Sequence, residues 1–368
     1  MGTPMLSGKE RSDKILEQVK PQVRNLRGYV SPPQDRVVAK LNQNESPYDI
    51  PVRLKEKILK DLKAMPWSRY PEYNPNHLRE KLAKRFGLTA NQVVLGNGSN
   101  ALIHVVVTAF LTPGDVVVLS SPSFSFFELV ACLFQGSVVK VPRKPDFSYD
   151  REALLEKASD AKLCIFASPD NPTGMAMDLA LLEAILKKTR GVVLWDEAYG
   201  EFWGQSAVPL ISRYPNLLVL RTFSKAFSLA GGRIGYLFGQ ESVVGELQKV
   251  TVPYNLNLFS VCAALRILED SWWMESKIKK IIHERQKLFD FLNQIPKVKA
   301  YPSETNFILF WVPDGPIVLN QLKKRGVLVR DMGGYTELKN HLRVTVGTPE
   351  ENAIFCHALQ DILLEKVE

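Results

Sequence analysis

The sequence predicts an α/β fold in two parts: a large domain built on a mostly parallel, seven-stranded sheet, and a smaller α+β domain towards the C-terminus. Three observations predict it. Of the 368 residues, 45% are apolar, enough for more than one small core. Between residues 92 and 238, seven short β-rich runs alternate with helix-length segments, the texture of a parallel sheet covered on both faces. From residue 297 the order becomes strand, helix, strand, helix, with an antiparallel character.

In chain order, the segment to residue 45 shows few helical signals after Lys20 and meets a stop at Ser31-Pro32-Pro33, so it is expected to be an extended arm. Residues 53–64 and 76–86 have the spacing of amphipathic helices, separated by a loop over 66–75 rich in Pro, Tyr and Asn. The seven strands are expected at 92–95, 116–120, 137–141, 163–167, 192–195, 217–222 and 235–238. Residues 260–295 form one long or slightly broken helix leading out of the sheet. The expected division is an arm at 1–45 that belongs to the small domain, a large domain at 46–268 and a small domain at 269–368.

The formal charge of +8 raises the question of nucleic acid, but Lys and Arg alternate with Asp and Glu along most of the chain, and no basic stripe interleaved with aromatics is present. A solvated surface accounts for them, with a weak bias towards anionic small molecules. No apolar run approaches the roughly 20 residues of a spanning helix, and Met1 to Lys20 are mixed and charged, so no membrane partner and a cytosolic location are expected. Cys132, Cys164, Cys262 and Cys356 lie far apart in mostly apolar stretches, as reduced core thiols do. The five histidines show no ligand spacing, and no metal is expected.

Four motifs carry the chemistry. At 221–235 an apolar strand ends in Ser224 and Lys225, and a Gly-rich turn delivers Arg233; Ser and Arg are residue types that hold a phosphate. The strand before Tyr199 ends in Asp196 and Glu197, either as a cap or as a carboxylate that keeps a heteroaromatic nitrogen protonated. Ser168-Pro-Asp-Asn-Pro-Thr-Gly174 follows another strand, which places Asn171 at a carboxyl end, where open α/β sheets bind ligands. Gly96-Asn-Gly-Ser-Asn-Ala101 opens an apolar helix and also fits a dinucleotide pattern. The acidic residue that should end the next strand is missing, since 116–120 runs into Ser120-Ser121. A helix N-terminus offering backbone N–H groups at Gly98, Ser99 and Asn100 to one phosphate is what remains.

With these motifs in this order, and with Leu41-Asn-Gln-Asn-Glu-Ser-Pro47, Tyr70-Pro71 and Leu342-Arg-Val-Thr-Val-Gly-Thr-Pro-Glu350, the chain resembles the fold-type I pyridoxal-phosphate enzymes, and among them the histidinol-phosphate aminotransferase family. The resemblance implies that Lys225 carries pyridoxal 5'-phosphate as a Schiff base and then shuttles the proton, with Asp196 on the pyridine nitrogen. It implies Tyr199 and Asn171 on the phenolic oxygen, and Ser224, Arg233, Gly98, Ser99 and Asn100 around the phosphate. Phe124 stands where the family usually has a Tyr stacked on the ring, and Asn100 where it more often has an acid. Tyr70 is similar to a tyrosine that reaches the neighbouring subunit's cofactor phosphate, which implies a homodimer with shared sites. Tyr29 resembles a family tyrosine that closes over substrate, and Asn44 is expected to bind substrate.

Arg330 and Arg343 are expected to bind substrate anions: the carboxylate of glutamate in one half-reaction and the phosphate of histidinol phosphate in the other, with 2-oxoglutarate as acceptor. Arg343 lies amid apolar alternation, where a guanidinium needs an anionic ligand or partner. An aromatic or broad-specificity aminotransferase, a threonine-phosphate decarboxylase and a non-catalytic pyridoxal-phosphate-binding protein are the alternatives. One or both of the Ser121-Pro122 and Asn171-Pro172 bonds are expected to be cis.

Overall fold

The computed structural model describes residues 8–24, 26 and 37–364. Tyr29 and the Ser31-Pro32-Pro33 stop lie outside the described residues. The first described elements are helices, Gly8–Glu17 and the single turn Pro21–Arg24, the latter beyond the Lys20 limit that the sequence suggests for helix.

Strand β1 (Ala39–Lys40) comes next, followed by the sheet strands β2 (Val93–Gly96), β3 (Val116–Ser121), β4 (Ser137–Pro142), β5 (Leu163–Ala167), β6 (Val192–Asp196), β7 (Leu217–Thr222) and β8 (Gly235–Phe238). They form one sheet in the order β2-β8-β7-β6-β5-β3-β4. All neighbours are parallel except at β8, which runs antiparallel to both β2 and β7. β5 and β7 are buried along their whole length, and β6 all but its first residue, as expected where helices cover both faces. Four strands extend one residue past the apolar run, to Gly96, Ser121, Pro142 and Asp196, because ladder pairing needs a backbone and not an apolar side chain.

The C-terminal part holds β9 (Lys299–Ala300), β10 (Phe307–Trp311), β11 (Val327–Leu328), β12 (Arg330–Asp331) and β13 (His341–Thr345). An antiparallel sheet runs β12-β13-β10-β9, while β1 pairs in parallel with β11 and so ties the segment around Asn42–Glu45 to this part of the chain. The expected long helix is two, Leu258–Glu269 and Trp272–Gln294, broken at Asp270 and Ser271. The second of these spans two cores. Trp273, Met274, Ile278 and Ile281 pack with the large sheet's helices, whereas Leu288 and Leu292 pack with β10 and β13. Among the described residues no helix is long and apolar enough to cross a membrane.

Candidate active site

The carboxyl ends of β3, β5, β6 and β7 open into a cavity of about 1040 Å³ that the C-terminal sheet closes from the other side. Asn44, Ser99, Asn100, Phe124, Asn171, Asp196, Tyr199, Ser224, Lys225, Arg233, Arg330 and Arg343 all line it. Gly98 abuts it through Arg233. Tyr70 lies elsewhere, 82% exposed and stacked on Tyr254 at 4.7 Å between ring centroids.

One end of the cavity is a cradle for an anion. Arg233, left-handed at φ 51°, donates from Nη1 to Ser224 Oγ at 3.1 Å, and Thr222 Oγ1 donates to the same oxygen at 3.0 Å. The helix Ser99–Phe110 starts beside them, with Gly98 at φ 78°. A Cβ on Gly98 would stand 2.5 Å from Arg233 Nη2, and one on Gly235 would stand 2.4 Å from Ser99 N. Only glycine lets the helix start and the β8 entry come so close. A guanidinium, a hydroxyl and the first N–H groups of a 12-residue helix thus converge on one spot.

At the end of β6 two successive carboxylates point to opposite sides, as strand alternation requires. Glu197 faces away and is neutralised: Arg221 donates to its Oε2 from Nη2 at 2.6 Å and Nε at 2.9 Å, with Ser206, Trp195 and the Ala207 N–H adding further donors. Asp196 faces the cavity and accepts from the Ala198 N–H at 2.8 Å. Burial pushes its carboxyl up to about 7, and the negative charges of Glu197 and Asp170 add to this.

Lys225 Nζ donates to the Gln43 carbonyl at 3.0 Å. Burial lowers its amine to about 7, helped by the positive charges of Arg343 and Arg233. Tyr199, pushed up to about 12 by burial, accepts a hydrogen bond at its hydroxyl from Asn44 Nδ2 at 2.9 Å. Asn44 is itself held by Thr345, whose Oγ1 accepts from its N–H at 2.9 Å. Arg343 donates to Asn171 Oδ1 and to the Asn42 carbonyl, the latter at 3.1 Å, and its guanidinium sits 5.1 Å from the Phe307 ring centroid. Arg330 is the Cα partner of Arg343 across β12 and β13, so the two arginines share one face of the ladder.

The structure adds residues that the motifs did not single out. Gln43 supplies a backbone acceptor, which side-chain types cannot reveal. Tyr335 and Glu337 reach the cavity from the segment after β12, where Ser121 Oγ donates to Glu337 at 2.7 Å. Asp170, inside the quoted 168–174 motif, is fully buried and paired with Arg143 at 3.3 Å. Its signal was a carboxylate in a turn whose neighbours are Pro and Asn. Both Ser121-Pro122 and Asn171-Pro172 are cis, and so is Ser168-Pro169.

Residues 36–359 match the family model described as aminotransferase class I and II. The histidinol-phosphate aminotransferase of Chlorobium phaeovibrioides is 36% identical over 94% of this chain and 97% of its own length. That of Pyrococcus furiosus is 40% identical over 88% and 92%. Among solved structures, histidinol-phosphate aminotransferase from Sinorhizobium meliloti in complex with pyridoxal-5'-phosphate shares the fold, with a TM-score of 0.86 at 24% identity over 95% of this chain and 98% of that one. The chain therefore belongs to the class I and II aminotransferases, and within them to the histidinol-phosphate aminotransferase family.

Proposed function

We propose that the protein transfers the amino group of L-histidinol phosphate to 2-oxoglutarate, giving imidazole acetol phosphate and glutamate, with pyridoxal 5'-phosphate bound through Lys225. The carrying observation is the cross-strand pair Arg330 and Arg343 in the same cavity as Lys225 and Asp196. Two guanidinium forks facing one cavity suit the recognition of a substrate phosphate or carboxylate. The curated relatives named above carry the same activity in their names.

The residues present fit the cofactor. The cradle of Ser224, Arg233 and the helix start suits one phosphate, and Asp196 is a buried carboxylate in want of a cation, which a protonated pyridine nitrogen supplies. Phe124 lines the same cavity and offers an aromatic face for stacking. When bound, pyridoxal phosphate acts as an electron sink that makes a substrate C–H acidic.

The chain's own groups then have separable roles. Lys225 Nζ would hold the cofactor aldehyde, and its amine, which burial lowers from the usual lysine value, is the base that would take a proton from substrate. Tyr199 accepts from Asn44, so its own O–H is directed elsewhere, and Asn171, whose Oδ1 is taken by Arg343, keeps Nδ2 for donation. Both groups would be free to donate to the cofactor's phenolic oxygen and favour its ionised form. Arg343 orients substrate through its fork while holding Asn171 in place.

A homodimer in the cytosol completes the reading. Trp67, Tyr70, Tyr73, Tyr254 and Phe259 form an exposed aromatic surface that a second copy would cover, with Tyr70 reaching that copy's cofactor phosphate. The division into an arm at 1–45, a large domain at 46–268 and a small domain at 269–368 is supported by separate apolar cores, joined through the helix Trp272–Gln294.

The test is a substrate panel on pure, cofactor-loaded protein. Glutamate formed from histidinol phosphate and 2-oxoglutarate is expected. A preference for phenylalanine or tyrosine would overturn the substrate, and carbon dioxide from phosphothreonine would overturn the reaction.

A further inference from the structure

Two loops at the carboxyl ends of neighbouring strands carry cofactor-facing residues: 122–124 carries Phe124, and 168–174 carries Asn171. A single buried carboxylate lies between them. Asp170 Oδ1 accepts from Ser123 Oγ at 2.5 Å, and its Oδ2 accepts from Thr173 Oγ1 at 2.9 Å. Arg143 Nη2 approaches Oδ2 at 3.3 Å, and both side chains of this pair are almost wholly buried, at 1% and 0% exposure.

Arg143 is itself fixed. Its guanidinium lies 3.8 Å from the Tyr149 ring centroid, and Nη2 donates to the Tyr149 hydroxyl at 2.7 Å, which in turn donates to the Ala167 carbonyl at the end of β5. Its backbone N–H donates to the Ser121 carbonyl, immediately before the Phe124 loop. The pair is therefore braced against the end of β5 and against the end of β3. Ser123 alone joins its side chain to that carboxylate from the Phe124 loop among the bonds seen.

We infer that Asp170 is a positioning residue that, through Ser123, fixes the ring of Phe124 against the cofactor while holding Asn171 on its other loop. This rests on the cofactor placement proposed above. An isolated buried ion pair contributes little net stability, since desolvation offsets attraction. Here the pair has a geometric output, because Ser123 directly precedes Phe124 and Asp170 directly precedes Asn171. Hydrogen bonds to a charged acceptor hold such loops more firmly than neutral ones.

The experiment measures pyridoxal-phosphate affinity and the circular dichroism induced in the bound cofactor's absorption band. The proteins are wild type, Ser123→Ala, Phe124→Leu and the double variant, with Asp170→Asn beside them. Ser123→Ala is expected to weaken binding about ten-fold, the scale of one lost charge-assisted bond, and to diminish the induced band. In the Phe124→Leu background the same change should alter affinity less than about two-fold, because Ser123 acts through that ring. Asp170→Asn should reproduce the loss of the band. An equal effect of Ser123→Ala in both backgrounds, or none in either, overturns the inference even if Asp170→Asn fails to fold. Wild-type protein that takes up no pyridoxal phosphate would instead overturn the cofactor placement and the inference with it.

Discussion

Replacing Asp196 by Asn should make the cofactor-free protein more stable and the loaded enzyme nearly inactive. The carboxyl of Asp196 titrates near 7 in the folded chain, against about 3.9 in an open one, with burial as the main cause. A folded-state value raised above the unfolded one gives stability that is fully present below about pH 4 and is lost as pH rises towards 7. Each pH unit in that window costs about 1.4 kcal/mol, so an ionised Asp196 costs on the order of 4 kcal/mol by pH 8. Asn avoids the charge and keeps an oxygen for the Ala198 N–H. Urea unfolding of cofactor-free wild type and Asp196→Asn at pH 4.5, 6 and 8.5 measures it. The variant should gain with each step up in pH, by a few kcal/mol at pH 8.5 and by little at pH 4.5. Pyridoxal phosphate should reverse the order, since only the carboxylate pairs with a ring cation. A variant no more stable than wild type at pH 8.5 would refute the reasoning, because it would mean that the buried carboxylate is already compensated without the cofactor.

Lys225→Ala should show no cofactor adduct by mass spectrometry after borohydride reduction and lose at least about 10³-fold in kcat, the range of a positioned acid–base group. Gly98→Ala should raise the pyridoxal-phosphate Kd by ten-fold or more in an absorbance titration, because a Cβ at φ 78° meets Arg233 Nη2 at 2.5 Å. Arg330→Gln should lower kcat/KM for histidinol phosphate by about ten- to a hundred-fold, the worth of a charged hydrogen bond, and that for glutamate much less; equal losses in steady-state assays would count against a phosphate role for Arg330.

The inner sheet strands are legible in the sequence because they are buried on both faces, so apolar continuity marks them without help from neighbours, whereas the edge strand β4, only partly buried, is marked by its β-branched residues Val138, Val139 and Val141. Direction is not marked that way. Residues 235–238 have the same apolar texture as 217–222, yet β8 runs against β7, since the connection over 223–234 stays at one end of the sheet and brings the chain back beside β7 without a crossover helix. Site residues at strand ends are legible for a related reason: polar side chains closing an apolar run have few structural reasons to be there. Which of Asp196 and Glu197 faces the cavity needs the buried Arg221, and the Asp170 and Arg143 pair needs the fold to bring two strands together. The Gln43 carbonyl that accepts from Lys225 leaves no trace in side-chain type.

The charges of the cavity explain why these residues occur together. The site brings together a carboxylate raised to about 7, an amine lowered to about 7 and two arginines facing each other across a ladder, and each of the two shifted groups costs stability on its own. Lys225 has the opposite sign to Asp196: its lowered value gives stability that is present above about 10 and is lost as pH falls through 7. The two contributions therefore leave the cofactor-free site least favourable near neutral pH, where the enzyme would work. In the proposed reading, a ring cation beside Asp196 and a covalent bond at Lys225 would remove both costs at once, while a substrate anion would meet Arg330 and Arg343. A hydrophobic core of the same size would be more stable and could bind none of them, so under the proposed function the unfavourable burial of these charges would serve as binding energy for cofactor and substrate.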